Sequence, residues 1–487
     1  MSFTSVTYFL FVGISLLIYT IVPKRAKWCV LLGASAFYYV MAAGLRTLWL
    51  VAAILIVYGG GLLLGHLNDQ GKARRKAAAD KEEKKQIRKK YDAKKRAVVT
   101  VAVLGVFGLL IALKYVNFLG ESAYGIAGLF GSKSAYQPVQ ILLPLGISYY
   151  TLCAVSYVVD VYRGKYKPER NFFKLALFLS FFPQMTEGPI GKYEIMMPRL
   201  VEGHSFDFER DAQAVMRIFW GMFKKMVIAD RANLFVTGVF DNGDQAGSMV
   251  LLGTLLYTVQ IYCEFSGCMD IVCATGQLFG VEMQENFRRP IFSKTINEFW
   301  QRWHITLGAW IKEYVFFSVS LSKGLMNLSK HTRKKLNDYF ANLVPMTFAL
   351  FCVWFFNGIW HGASWKYVLY GLYYYILMMI GMYLRPVSDK LLHALHIAPE
   401  SKGFALFQMV RTFLIVNVGM MLFRCHTITQ WGQSLARIFT DFDGACLTNG
   451  TVLSLGNDWQ DFLIMGIGVL VVGIVEVLQE KGHTIRS

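Results

Sequence analysis

The chain has 487 residues, of which 55% are hydrophobic, 15% aromatic and only 17% charged, and its formal net charge is +18. Such a composition excludes an ordinary soluble domain. The charge excludes a nucleic-acid binder by its placement, because the cations cluster beside apolar runs, as in the cytoplasmic loops of membrane proteins.

Charge-free runs close to the roughly 20 residues of one helical crossing recur along the chain: Met1 to Pro23, Trp28 to Leu45, Thr47 to Asn68, Ala97 to Leu113, Ser134 to Val159, Tyr339 to Trp365 and Tyr367 to Leu384. They are too long and too continuously apolar for barrel strands, so the fold class is all-α, a polytopic transmembrane helical bundle. The first run lacks a basic leader and is followed by Lys24 and Arg25 rather than a small-residue cleavage site, which predicts a retained helix. Residues 72–96 carry thirteen Lys or Arg against four acids and read as a basic cytoplasmic loop touching anionic membrane lipids. From that anchor Lys24 to Lys27 lies inside and the N-terminus outside. Ser134 to Val159 then delivers Arg163, Lys165, Lys167, Arg170 and Lys174 back to the cytoplasm.

Leu175 to Thr186 is too short to span, and Pro183 and Gly188-Pro189 interrupt it, so a re-entrant or half-crossing element is expected there. Between Lys192 and Lys335, segments such as Arg217 to Arg231 and Phe299 to Tyr314 mix aromatic and charged positions and look interfacial or partly buried. Gly403 to Phe423 and Phe462 to Leu478 complete roughly nine to eleven crossings, with a lysine-free outer loop from Cys425 to Gln460. The eight cysteines lie mostly in apolar segments and lack CxxC spacing, so neither a metal site nor a disulfide framework is expected. No internal repeat is evident, which counts against a transporter built from inverted halves.

Two histidines stand in settings that suit chemistry. His361 lies in Asn357-Gly358-Ile359-Trp360-His361-Gly362, near the outer end of an uncharged run. Its near-neutral imidazole can take a proton from a hydroxyl and return one to a leaving group, although a histidine satisfied by neighbouring carbonyls would look the same. His304 follows Glu298-Phe299-Trp300-Gln301-Arg302-Trp303 near the basic cytoplasmic side, where an interfacial helix with anchoring Trp and a snorkelling Arg is the alternative. The basic residues Arg288, Arg289 and Arg302 near the inner mouth suit contact with phosphates, or simple snorkelling.

Six motifs then carry a resemblance. They are Leu145-Gly146-Ile147-Ser148-Tyr149-Tyr150 with Ser156-Tyr157 and Asp160; Phe182-Pro183-Gln184 with Gly188-Pro189-Ile190; Gln260-Ile261-Tyr262 with Phe265-Ser266-Gly267 and Asp270; Glu285-Asn286-Phe287 with Arg289-Pro290; Glu298 through His304; and Trp360-His361-Gly362. In this order and spacing they resemble the membrane-bound O-acyltransferase family, in the bacterial branch of alginate O-acetylation and of D-alanyl transfer to teichoic acids. Residues 145–370 are covered densely, and the flanking helices only in general character. The resemblance implies a bundle around a central funnel and tunnel, with the family's two histidines at His361 and His304.

It further implies an acyl thioester donor on the cytoplasmic side, coenzyme A or an acyl carrier protein, with no bound cofactor. The acceptor is then an extracytoplasmic polysaccharide or teichoic acid, reached with a hydrolase-like partner protein, at a bacterial plasma membrane. His361 becomes the general base, and His304 positions the donor or polarises its carbonyl. Trp300, Arg302, Trp303, Trp360, Asn357, Glu187, Glu264, Asp270, Arg288 and Arg289 become candidate substrate-binding residues. Glu187, where relatives often have a small residue, and Glu264, where they usually have Asp, depart from the pattern. The expected divisions are N-terminal helices 1–71, the basic loop 72–96, a helix and outer loop 97–137, a catalytic core 138–384 and C-terminal helices 385–487. A lipid or polymer transporter without chemistry, and a scaffold using the outer loop, are the rival readings.

Overall fold

The computed structural model describes residues 2–131, 134–243 and 245–483. Among them the regular structure is helical, and a single isolated bridge, Phe287 to Trp303, is the one piece of strand pairing. The apolar runs fold this way because a helix satisfies its own backbone groups, which hydrocarbon cannot do. Polar caps start several of them: the side chains of Ser5, Asp80, Asn171, Ser322 and Asn337 each accept a backbone N–H of the first turn.

Six helical stretches among the described residues are long and apolar enough to cross a membrane, or seven if the bent pair Trp365–Tyr383 and Arg385–Ala394 counts as one span. This makes the chain a multi-pass membrane protein. The two longest stretches are not one crossing each, since 54 and 49 residues far exceed the roughly 20 that a single crossing needs. Trp28 to Leu45 and Thr47 to Asn68 fall within one 54-residue stretch, Lys24–Ala77, turned at Gly44 with φ of 56°. Val6–Ile21 has only 16 residues, and Ile147–Arg163 has 17 and is buried along most of its length.

By its internal packing the chain forms two compact units, Met1–Val215 with Val272–Gln284, and Met216–Ile271 with Glu285–Ser487. In the first, the basic stretch 72–96 is helical on both sides of a short turn: Thr47–Ala77 runs out and Lys81–Leu110 returns. Leu67 and Tyr91 are buried in this hairpin, and a side chain at Gly71 would press on the Tyr91 ring. Leu175 to Thr186 becomes a nine-residue helix, Phe172–Ser180, followed by a buried turn. There the Phe182 N–H donates to Ser35 Oγ at 3.1 Å and Gly188 N–H to the Gln184 carbonyl at 3.0 Å, so irregular backbone is paired within the protein.

The second unit is organised around an aromatic core that includes Phe235, Phe299, Trp303, Trp354, Tyr370 and Tyr374. A close contact on both sides joins Asp338–His361 to Trp365–Tyr383. A Cβ placed on Gly358 would lie 2.3 Å from the Tyr367 carbonyl oxygen, and one on Gly371 would lie 2.2 Å from that of Trp354. Two helices can come this close only where a side chain is missing. Gly371→Leu is therefore expected to push the pair apart and destabilise the protein by at least about 1–3 kcal/mol, read as a lower melting temperature in detergent, whereas Gly381→Leu, with open space around its Cα, leaves it unchanged.

Candidate active site

His361 is the last residue of the helix Asp338–His361, and Gly362 beyond it is extended. Its ring is set among Trp360 at 5.1 Å, Phe423 at 5.4 Å and Tyr370 at 5.9 Å between centroids. Asn357 is buried one turn earlier on the same helix face. The apolar run thus ends at an imidazole held by aromatic edges and half open to its surroundings.

His304 arrives by a different route. It lies between the short helices Ile296–Arg302 and Ile305–Ile311 with a left-handed backbone, φ 49°, a conformation that strains a residue other than Gly. A local ladder holds it there. Arg288 N–H donates to the Arg302 carbonyl at 2.9 Å and Ile305 N–H to that of Asn286 at 3.0 Å, around the Phe287–Trp303 bridge. The ring is 3% exposed, edge-on to Phe265 at 4.9 Å and 5.9 Å from Trp360. Its Nδ1 is 3.2 Å from Asn286 Oδ1. Burial, and after it electrostatic coupling to His361, hold its imidazole well below the usual histidine range, so it is neutral near pH 7. Trp360 touches both imidazoles, which makes it the common wall of the pair.

On the His304 side of this pair the second unit holds a cavity of about 480 Å³. Arg217, Lys224, Asp270, Arg288, Arg289 and Glu476 supply much of its charge. Met269 and Phe287 join it to the His304 support, since Met269 Sδ accepts from Asn286 Nδ2 at 3.3 Å and Phe287 packs on Phe265 at 5.0 Å. Asp270 receives Arg217 at 2.9 Å and buried Lys224 at 2.5 Å, and Arg217 also makes a bidentate pair with Glu285. The Tyr262 hydroxyl donates to Glu476.

The expected site residues divide accordingly. His304, Trp360 and His361 come together, with Asn357 one turn away. Arg288, Arg289 and Asp270 meet at the cavity. Arg302 does not line it: its guanidinium is held by Glu298 at 2.8 Å and Glu480 at 3.1 Å, and Glu480 also takes Arg289 at 2.6 Å. Trp300 and Trp303 belong to the aromatic core; Trp300 stands edge-on to Trp354 and Tyr374, and its buried Nε1 finds no acceptor among the described residues. Glu264 pairs with Lys225 at 2.8 Å on a more exposed face. Glu187 lies in the first unit and is exposed. Sequence reasoning left Lys224, Glu476, Glu480 and Phe423 unmarked, because each owes its place to a partner far along the chain. Asn286 was quoted only inside a motif.

A multi-pass helical membrane protein with a sheltered imidazole pair beside a charged cavity is the class that fold and site define. Within it, residues 169–332, including His304, match the model of the membrane-bound O-acyltransferase family, so that segment belongs to this family and the resemblance read from the motifs is borne out. The probable alginate O-acetylase of Azotobacter vinelandii is 30% identical over 343 residues, 70% of this chain and 62% of that protein. The peptidoglycan O-acetyltransferase of Helicobacter pylori is 29% identical, covering 59% of this chain and 56% of its own length. For the teichoic acid D-alanyltransferase of Bacillus subtilis the figures are 26%, 59% and 70%. The chain thus spans less than two thirds of the alginate relative.

Two measurements follow from this geometry. Asp270→Asn leaves buried Lys224 without its carboxylate and is expected to cost about 3–5 kcal/mol, whereas Glu264→Gln, at a more exposed pair, costs about 1 kcal/mol or less; denaturant titration in detergent separates them. His304 binds its proton less readily folded than unfolded, so its contribution to stability is complete above its unfolded pKa of about 6.5 and declines as pH falls through that value. Between about pH 7 and pH 5 the melting temperature should fall more steeply in the native protein than in His304→Gln.

Proposed function

We propose that this protein is a membrane O-acyltransferase that passes an acyl group, acetyl in the leading form, from a cytoplasmic thioester to a hydroxyl of an exported polysaccharide at a bacterial plasma membrane. The observation that carries this reading is the pair His304 and His361 on either side of Trp360, with His304 in the family segment. The relatives' names, alginate O-acetylase and peptidoglycan O-acetyltransferase, support acetyl transfer to a surface polymer.

In this mechanism the acceptor oxygen attacks the thioester carbonyl carbon while His361 removes the hydroxyl proton. The resulting oxyanion collapses, the C–S bond breaks, the proton passes to the leaving sulfur, and an ester and a free thiol remain. Developing charge on the carbonyl oxygen needs an N–H or O–H donor, and the unpartnered Trp300 indole N–H supports a role there. Arg288 and Arg289 at the cavity receive the donor's phosphates, whether the donor is coenzyme A or a carrier protein. The segment 425–460, with Phe439 and Phe442 exposed, docks an extracytoplasmic hydrolase-like partner.

The Bacillus subtilis relative favours a second form of the same chemistry, D-alanyl transfer to teichoic acid. Mass spectrometry of ester-linked groups on surface polymers, from cells with the native protein, with His361→Ala or with neither, tests both. The variant is expected to lower ester formation by at least about 10²-fold, and the lost ester, acetyl or D-alanyl, identifies the form. Undiminished esters in His361→Ala would remove His361 from catalysis.

A further inference from the structure

Asn286 is 1% exposed, and its side-chain oxygen lies within 3.0 Å of both the backbone nitrogen and the hydroxyl of Thr306, and 3.2 Å from His304 Nδ1. A side-chain amide can be turned either way, but here two one-sided neighbours decide the orientation. The Thr306 backbone N–H can only donate, so the atom facing it is the carbonyl oxygen. The Met269 thioether can only accept, so the atom facing it is the amide nitrogen. With the amide oriented, the oxygen facing His304 can only accept, and the proton of the neutral ring therefore sits on Nδ1. Nε2 is left with a bare lone pair, and among the described residues nothing hydrogen-bonds it although the ring is almost fully enclosed.

We propose that Asn286 is a positioning residue that holds His304 as the Nδ1–H tautomer, so that His304 meets substrate as a hydrogen-bond acceptor at Nε2. The nature of the substrate rests on the acyltransferase reading above; the tautomer does not. A neutral His304 in this state cannot polarise a thioester carbonyl, which would need an N–H at Nε2. It orients an O–H or N–H of the substrate instead. The groups facing the ring are Phe265, Trp360, Asn286 and, electrostatically, His361, which is the titratable one.

The first test needs no activity. In full-length protein with ¹⁵N-labelled histidine, with His304→Ala to assign the signal, His304 is expected to show a protonated Nδ1 and a bare Nε2, and Asn286→Leu a mixture of tautomers. A proton on Nε2 in the native protein overturns the proposal. The second test is kinetic. Asn286→Asp keeps the acceptor and adds a negative charge that stabilises the imidazolium, so the acid limb of the pH–rate profile should move to higher pH. Asn286→Leu should lower kcat by at least about 10²-fold with KM little changed, and should add nothing to the defect of His304→Ala. An Asn286→Asp profile that superimposes on the native one, with Asn286→Leu lowering only the yield of folded protein, would leave Asn286 a structural residue. If the folded native protein forms no ester at all, the proposed function fails while the labelled spectrum still decides the role of Asn286.

Discussion

Hydrocarbon offers no hydrogen bonds, and every departure from helix inside an apolar chain must therefore find its donors and acceptors in the protein itself. Two such departures in this molecule are visibly tied. The turn at 181–190 is held through Ser35 and Gln184. The segment around Asn286 and His304 is held by the short ladder of Arg288, Arg302 and Ile305. The chemistry-bearing residue His304 sits in the second of these, where the backbone leaves the helix and can present a side chain at an angle that no helix face allows.

The two histidines reach one another by unlike means. His361 ends a long helix whose position depends on glycines that let its neighbour approach, while His304 occupies a strained backbone position that its surroundings overdetermine. Trp360, adjacent in sequence to one and packed on the other, turns these independent placements into a single site. The charged cavity is separate in construction. Its cations are largely neutralised in place, Lys224 and Arg217 by Asp270, and Arg289 by Glu480, so it presents balanced polarity with Arg288 exposed at its lining.

Much of this was legible in advance, and the exceptions have physical causes. Long uncharged runs announce helices because nothing else solves the backbone problem in lipid, and the Pro and Gly residues after Leu179 announce the broken element. His361 stood out because an ionisable residue at the end of a 27-residue uncharged run is costly. The break at Gly44 leaves almost no mark in composition, although it divides one 54-residue apolar stretch into two helices. The charge of Arg302 suggested a ligand, yet its partner Glu480 is 178 residues away and invisible to any local pattern. Asn286 escaped for the same reason: its meaning lies in the orientation of one amide, which Thr306 and Met269 settle only once the chain is folded.

The basic hairpin has a mechanical consequence. Thr47–Ala77 and Lys81–Leu110 each continue as one helix from the apolar region into the charged projection, and an α-helix resists both compression and bending over such lengths. A load applied to the lysine-rich tip is therefore not absorbed by a slack loop. The tip and the apolar segments are joined instead by continuous helical backbone on both sides of the turn.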